Sequence, residues 1–420
     1  MTEQIAVPET AVREHGWRVV FAGVGINLAL GILYTWSVIS RGVPEEWGWS
    51  QSDKSLPYAV ACLIFSIVMV PAGRMQDKLS PRLVATLGGI LVGIGMIVAS
   101  FTQSPVGYMV GFGILAGAGI GLGYASATPP AVKWFPPVKT GMIAGIVVSG
   151  FGLALAYAAP LCSWMIAQFG LSVTVRYLGI AFLVIVCGLA QILKPPPQGY
   201  VPAGSKPSTT PVAGDKKEEF LPKEMLRTVQ FYIIWIMYAF GAGAGLMVIS
   251  VAKKVVNAQI ADTLTLVALV GLAIGNGGGR IIAGMLSDKL GRKATLFLFL
   301  ICQAILLFLL SKAQGDSVLA NASVLIVIYA LIGANYGSNL ALFPSITKDY
   351  FGLKNFGMNY GLVFTAWGVG GFMLAKLAGI MYDKTQSFNF AYFSSCAMLI
   401  LAAIMVFFVK HPHHIIKDET

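Results

Sequence analysis

The chain has 420 residues, 56% of them hydrophobic and only 11% charged, with a formal net charge of +11. An ordinary soluble domain carries about 25% charged residues, so this composition excludes a soluble enzyme, a disordered chain and a nucleic-acid binder. It leaves an all-α membrane protein, because backbone facing lipid must satisfy its own hydrogen bonds.

Each crossing needs ~20 apolar residues, and twelve such runs follow one another along the chain. They lie near 18–40, 55–73, 83–101, 106–130, 140–166, 172–193, 229–252, 262–286, 294–312, 319–342, 356–380 and 387–409. The opening MTEQIAVPETAVREHGW has no basic segment leading straight into a short apolar core, so no cleaved signal is expected. The long polar stretch 194–228 is rich in Pro, Lys and Glu and reads as a cytoplasmic linker. It separates an N-terminal six-helix bundle (1–193) from a C-terminal one (229–420). The five cysteines all fall inside apolar runs and are expected to be free. The terminal HPHH at 411–414 reads as a solvent-exposed tail with no metal geometry, and no cofactor is expected.

The positive charge writes orientation. With the N-terminus in the cytoplasm, twenty of the 29 Lys and Arg residues fall in cytoplasmic segments and seven in outer loops. The remaining two, Arg280 and Lys376, fall inside spans. Both termini are therefore expected inside, in a plasma or bacterial inner membrane.

An internal repeat reinforces the division. GRMQDKLSPR (73–82) follows span two and GMLSDKLGRK (284–293) follows span eight, an offset of 211. FPPVKTGMIAG (135–145) pairs with FGLKNFGMNYG (351–361) at an offset of 216. Parallel duplication of this kind is a pattern of major facilitator transporters. The loop G-x-x-x-D-[RK]-x-G-[RK] resembles the signature of that superfamily, departing in the first copy at Ser80 and Pro81. Asp77, Asp288 and Arg292 are expected to form a conformational latch there.

Further resemblance covers most of the chain. EHGWRVV (14–20) and KWFPPVKTGMIAGIVVSGFGLA (133–154) are similar to the motifs of monocarboxylate transporters. YTW (34–36), EMLRTVQFYIIW (224–235) and ALFPSITKDYFG (341–352) resemble the oxalate:formate antiporter branch. The resemblance implies a major facilitator fold with a site between spans one, four, five, seven, eight, ten and eleven.

Arg280 is the strongest single signal. A mid-helix Arg costs ~2.5–3.5 kcal/mol on insertion scales, yet the span interiors hold no carboxylate to pair with it. Its planar fork suits a carboxylate arriving from outside, and the resemblance makes it the carboxylate-binding arginine of both families. Asn276 lies one turn earlier, on the same face. Animal monocarboxylate transporters typically carry Asp there, so the proton mechanism implied by the resemblance loses its titrating group. Six residues after Gly361, where the antiporters carry lysine, stands Trp367. One cation instead of two favours a monoanion, with Trp367 and Phe364 limiting size. Tyr34, Tyr124, Phe151 and Tyr336 match pocket-lining positions. Gly271, Gly275 and Gly279 form a packing stripe, as do Gly113, Gly117 and Gly121.

The expected activity is secondary transport, not enzymatic catalysis. The substrate is a small monocarboxylate of the lactate or pyruvate class, moved with H⁺ by alternating access. Lys376, Asp262 and Asp383 are the groups that could assist the proton. An organic-anion exchanger of the oxalate:formate kind is the alternative, and a sensor on the same scaffold is a weaker one. No nucleic-acid partner is expected beside the lipid bilayer, and the sequence is silent on any accessory subunit.

Overall fold

In the computed structural model, residues 9–136, 140–197, 200, 219–259, 262–313, 317–352 and 355–412 are described. All regular structure among them is helical. The N-terminal half holds α1 (Glu9–Leu30), a 3-10 turn over Gly31–Thr35, α2 (Trp36–Arg41), α3 (Gln51–Lys78) and α4 (Pro81–Ser100). It continues with α5 (Pro105–Tyr108), a π-helical stretch over Met109–Ala116, α6 (Gly117–Val132) and α7 (Thr140–Ala190). The C-terminal half holds α8 (Pro222–Met225), α9 (Val229–Gln259), α10 (Asp262–Leu290), α11 (Arg292–Lys312), α12 (Ala322–Phe351), α13 (Phe356–Thr385) and α14 (Asn389–Met405).

Eleven of the described helical segments are long and apolar enough to cross a bilayer. One of them serves twice. Laid straight, the 51 residues of α7 would run roughly 75 Å, over twice a hydrocarbon core of ~30 Å. Gly170 breaks the helix with φ 75° and ψ 169°, a conformation that a side chain would resist. Before the break Val147 packs on Gly23 of α1, and after it Val186 packs on Gly89 of α4. The expected spans five and six are thus joined by a single glycine bend, and the chain crosses twelve times.

The duplication is visible in the packing. In the first half α3 lies on α6, α1 on α7, and α4 on α7. In the second half the corresponding pairs are α10 with α12, α9 with α13, and α11 with α14. Between the halves, α3 meets α13, α7 meets α10, and α2 meets α9.

The two ends of this seam differ. At one end the Asp383 carboxylate accepts from the amides of Gln51 and Ser52, both at 2.8 Å, so α13 caps the N-terminus of α3 across the seam. Lys253 donates to Ser163 Oγ at 2.9 Å and Lys254 to Gln51 Oε1 at 2.8 Å, again between halves. Toward the opposite end, α3 and α13 still touch where Gly361 faces Val70. Beyond that level, Gly73, Gly145, Gly284 and Gly357 meet open space among the described residues. The seam is closed at the Asp383 end.

Of the expected linker 194–228, residues 198–199 and 201–218 lie outside the described residues, and contacts hold the chain at both ends of that stretch. At its start the Lys194 carbonyl accepts a hydrogen bond from Trp134 Nε1 at 2.8 Å. At its close Phe220 is buried, its carbonyl accepting from Asn355 and Asn359, both at 3.1 Å. Each half thus holds the linker segment next to it.

Candidate functional site

Four glycines set the stage for Arg280. A Cβ on Gly275 or Gly279 of α10 would run into the carbonyls of Ala330 or Ala334 on α12. In return, one on Gly333 or Gly337 of α12 would run into the carbonyls of Leu272 or Asn276. Small residues on both helices therefore bring the backbones together as in other membrane helix pairs. α10 turns its Asn276–Arg280 face inward.

Arg280 is 6% exposed. Its Nη1 donates to the Val148 carbonyl of α7 at 2.8 Å, while Nη2 and Nε reach Asn276 Oδ1 at 3.2 and 3.4 Å. The Tyr124 hydroxyl also interacts with the guanidinium. Every partner is a neutral oxygen, and no carboxylate pairs with Arg280 among the described residues. Gly152 makes this approach possible: a Cβ there would stand 3.2 Å from Arg280 Nη2 and 3.4 Å from Asn276 Cγ.

Around the guanidinium stands an aromatic box. The 3-10 turn over Gly31–Thr35 presses Gly31 against Phe151 and Ala154 of α7, which brings Tyr34 inward. Its ring meets Phe151 edge-on at 4.9 Å, and its hydroxyl lies 2.6 Å from that of Tyr336 across the seam. Trp367 Nε1 donates to the same Tyr336 hydroxyl at 2.9 Å. Phe364 stacks on Trp367 with centroids 5.1 Å apart and lies 6.2 Å from Tyr124. The structure thus brings Tyr34, Tyr124, Phe151, Asn276, Arg280, Tyr336, Phe364 and Trp367 into one cluster.

Sequence reasoning passed over several members. Phe65 sits at the centre of the box, 5.1 Å from Trp367, 5.3 Å from Tyr124 and 5.9 Å from Phe151. Tyr360 and Tyr238 extend the wall behind Phe364, at 5.7 and 6.2 Å. A usable signal existed for Phe65: the repeat offset of 211 sets it opposite Asn276, and Met69 opposite Arg280.

The remaining predicted residues lie elsewhere. Asp383 is at the closed end, committed to the amides of α3. Lys376 is half-buried on α13, its ammonium 5.9 Å from the Phe372 ring, outside the box. The side chains of Asp262 and Asp77 fall outside the described residues. In the expected latch, Arg292 bonds Asp288 at 2.8 Å and Ser287 Oγ at 2.7 Å. It also bonds Asp349 of α12 at 2.9 Å, a partner not foreseen. The five cysteines are free.

Comparison with known proteins agrees with this architecture. The Major Facilitator Superfamily pattern matches residues 20–275 and 256–419. The chain is 29% identical to an oxalate:formate antiporter of Oxalobacter formigenes over 341 residues, 80% of this chain and 77% of that one. It is 23% identical to monocarboxylate transporter 11 of Mus musculus, covering 93% and 86% of the two chains. Among solved structures, a bacterial homologue of the human lysosomal transporter Spinster, inward-facing and unoccupied, superposes with a TM-score of 0.67. The identity there is 15%, over 94% of this chain and 97% of that one.

Proposed function

The chain belongs to the major facilitator superfamily, and on that premise we propose that it carries a small monocarboxylate, of the lactate or pyruvate class, across the membrane together with a proton. It is an integral membrane transporter and not an enzyme. The observation that carries the substrate reading is Arg280, a buried guanidinium whose partners are all neutral oxygens. A planar fork of donors fits a carboxylate in two-point contact. In this reading the incoming carboxylate takes the place of the Val148 carbonyl, with Asn276 and the hydroxyls of Tyr124, Tyr34 and Tyr336 beside it. Phe151, Phe364 and Trp367 enclose the apolar body. The site offers one cation, so a monoanion leaves no excess charge buried, whereas a dianion would leave one negative charge uncompensated.

The abundance of Lys and Arg in the loops at the Arg292 end supports placing that end and both termini in the cytoplasm, in the plasma membrane or bacterial inner membrane. The closed Asp383 end then faces outward, and the two halves rock about the central cluster. Proton coupling follows from charge. A bare anion entering against an inside-negative potential is opposed by ~2.3 kcal/mol per 100 mV, and a proton crossing with the acid removes that term.

The test is uptake of labelled lactate, pyruvate, formate and oxalate into proteoliposomes under a clamped membrane potential. An inward proton gradient is expected to accelerate lactate or pyruvate and leave oxalate slow. Uptake indifferent to the gradient but stimulated by internal anion would replace symport with exchange of the oxalate:formate kind. Failure to move any monocarboxylate would overturn the substrate assignment.

A further inference from the structure

We propose that a second anion site, for a small monovalent anion, lies between α2, α3 and α9 at the Asp383 end. A cavity of about 30 Å³ there is lined by the cationic side chains of Arg41, Lys54 and Lys254 and by the hydroxyls of Ser37, Ser40 and Ser250. A single water needs roughly 10–15 Å³ of such space, so the cavity admits a halide or the head of a carboxylate.

The charges in this cavity are one-sided. Neither Arg41 nor Lys54 forms an ion pair among the described residues. Lys254 donates to Gln51 Oε1 at 2.8 Å and lies 3.5 Å from the Tyr382 ring centroid, both neutral partners. Two acidic groups act on these cations, Glu45 on Lys54 and Asp383 on Lys254. Glu45 is solvent-exposed, and Asp383 has both oxygens engaged by the amides of Gln51 and Ser52. Asp53, close by in sequence, is held in the capping box of α3 with Ser50. Three like charges around one small space repel one another, and a monoanion among them reverses the sign of that interaction.

An orphaned donor points the same way. Ser37 is 2% exposed, and its Oγ has no hydrogen-bond partner. Ser40 and Ser250 already donate to carbonyls of their own helices, Ser37 O at 3.3 Å and Met247 O at 2.7 Å. Ser37 is therefore the lining hydroxyl free to donate, and a buried hydroxyl left unmet is costly. Ser37 also follows Tyr34 by three residues, roughly 5 Å along the helix. An anion held there stands one turn from the central box, on the outer side if the orientation proposed above holds.

Halide and carboxylate share this chemistry, and one experiment separates them while remaining independent of the Arg280 reading. The thermal unfolding midpoint of the purified full chain in detergent is measured in sodium chloride, formate or the bulky isethionate at equal ionic strength. Chloride or formate is expected to raise the midpoint by about 2–4 °C over isethionate. The rise should be the same in Arg280→Lys and absent in Lys54→Gln, Lys254→Gln and Ser37→Ala. A response to chloride identifies an inorganic-anion site; a response to formate alone identifies a waiting position for the transported acid. No response in the wild-type protein, or a full response in the folded Lys54→Gln and Ser37→Ala variants, overturns the proposal. So does a response lost only in Arg280→Lys, which would assign the anion to the central cluster. A protein that moves no monocarboxylate yet keeps this anion response would overturn the substrate assignment and leave this proposal standing.

Discussion

The two halves share a packing plan but bring unlike chemistry to their common site. The offset of 216 sets Phe151 against Trp367 and Gly152 against Gly368, an aromatic followed by a small residue in both copies. Both glycines serve a close crossing of the seam, Gly152 against Arg280 and Gly368 against Ser66. The offset of 211 sets Phe65 and Met69 against Asn276 and Arg280. Where the second copy is polar and cationic, the first is apolar. Duplication has kept the helix contacts and let one face of one helix change, so the charge sits in the C-terminal half while both halves supply aromatic walls.

The sharpest way to break this comparison is Arg280→Lys. Lysine keeps the charge but lacks the fork, and the loss of a charged hydrogen bond worth about 1.5–3 kcal/mol corresponds to a ~10–100-fold fall in initial uptake rate. The swap Met69→Arg with Arg280→Met is expected not to rescue it, because Asn276 has Phe65 as its counterpart. Rescue would show the halves to be interchangeable. Next comes Trp367→Lys, which adds a second cation on the C-terminal side. Monocarboxylate uptake should weaken and oxalate uptake appear, changing the ratio of the two by about tenfold; an unchanged ratio would place Trp367 outside the selectivity of the site.

Gly152→Ala probes the seam from the N-terminal half. Its Cβ would press on Nη2 from 3.2 Å, so the apparent KM for substrate should rise several-fold with the unfolding midpoint little changed. The smallest effect is expected for Tyr34→Phe. Removing one neutral hydrogen bond costs about 1 kcal/mol, roughly a fivefold loss of rate, and Tyr336 keeps its bond from Trp367. A larger loss than for Arg280→Lys would invert the division of labour between the halves.

Much of this arrangement was legible in the sequence because bilayer thickness and buried charge leave strong marks. The apolar runs, the repeat and the isolated Arg280 needed no knowledge of contacts. Phe65 was hidden by its setting, since one phenylalanine in LIFSIVMV reads like any lipid-facing residue until the repeat sets it against Asn276 or its partners Tyr124 and Trp367 are known. Gly152 and the Val148 carbonyl were hidden more deeply: one acts by having no side chain, the other through backbone. Asp349 reads as part of a loop-proximal charge run, and only the meeting of α12 with the turn at Gly291 gives it Arg292. Asp383, expected among the groups that could assist a proton, also caps a helix start 332 residues away in the chain, which no local pattern announces. The bend at Gly170 replaced the loop expected between spans five and six because a single positive-φ glycine turns the chain within the helix.

The glycine contacts between α10 and α12 carry a kinematic consequence. Backbones packed without intervening side chains cannot slide without collision, so Arg280, Asn276 and Tyr336 translate as one block. On the proposed rocking of the halves, the neighbours of that block would exchange, the Val148 carbonyl released on one side and the Tyr34 hydroxyl on another, while the clamp keeps its shape. Its groups are preorganised during folding, so the ordering cost that flexible sites meet at each encounter does not recur in every transport cycle.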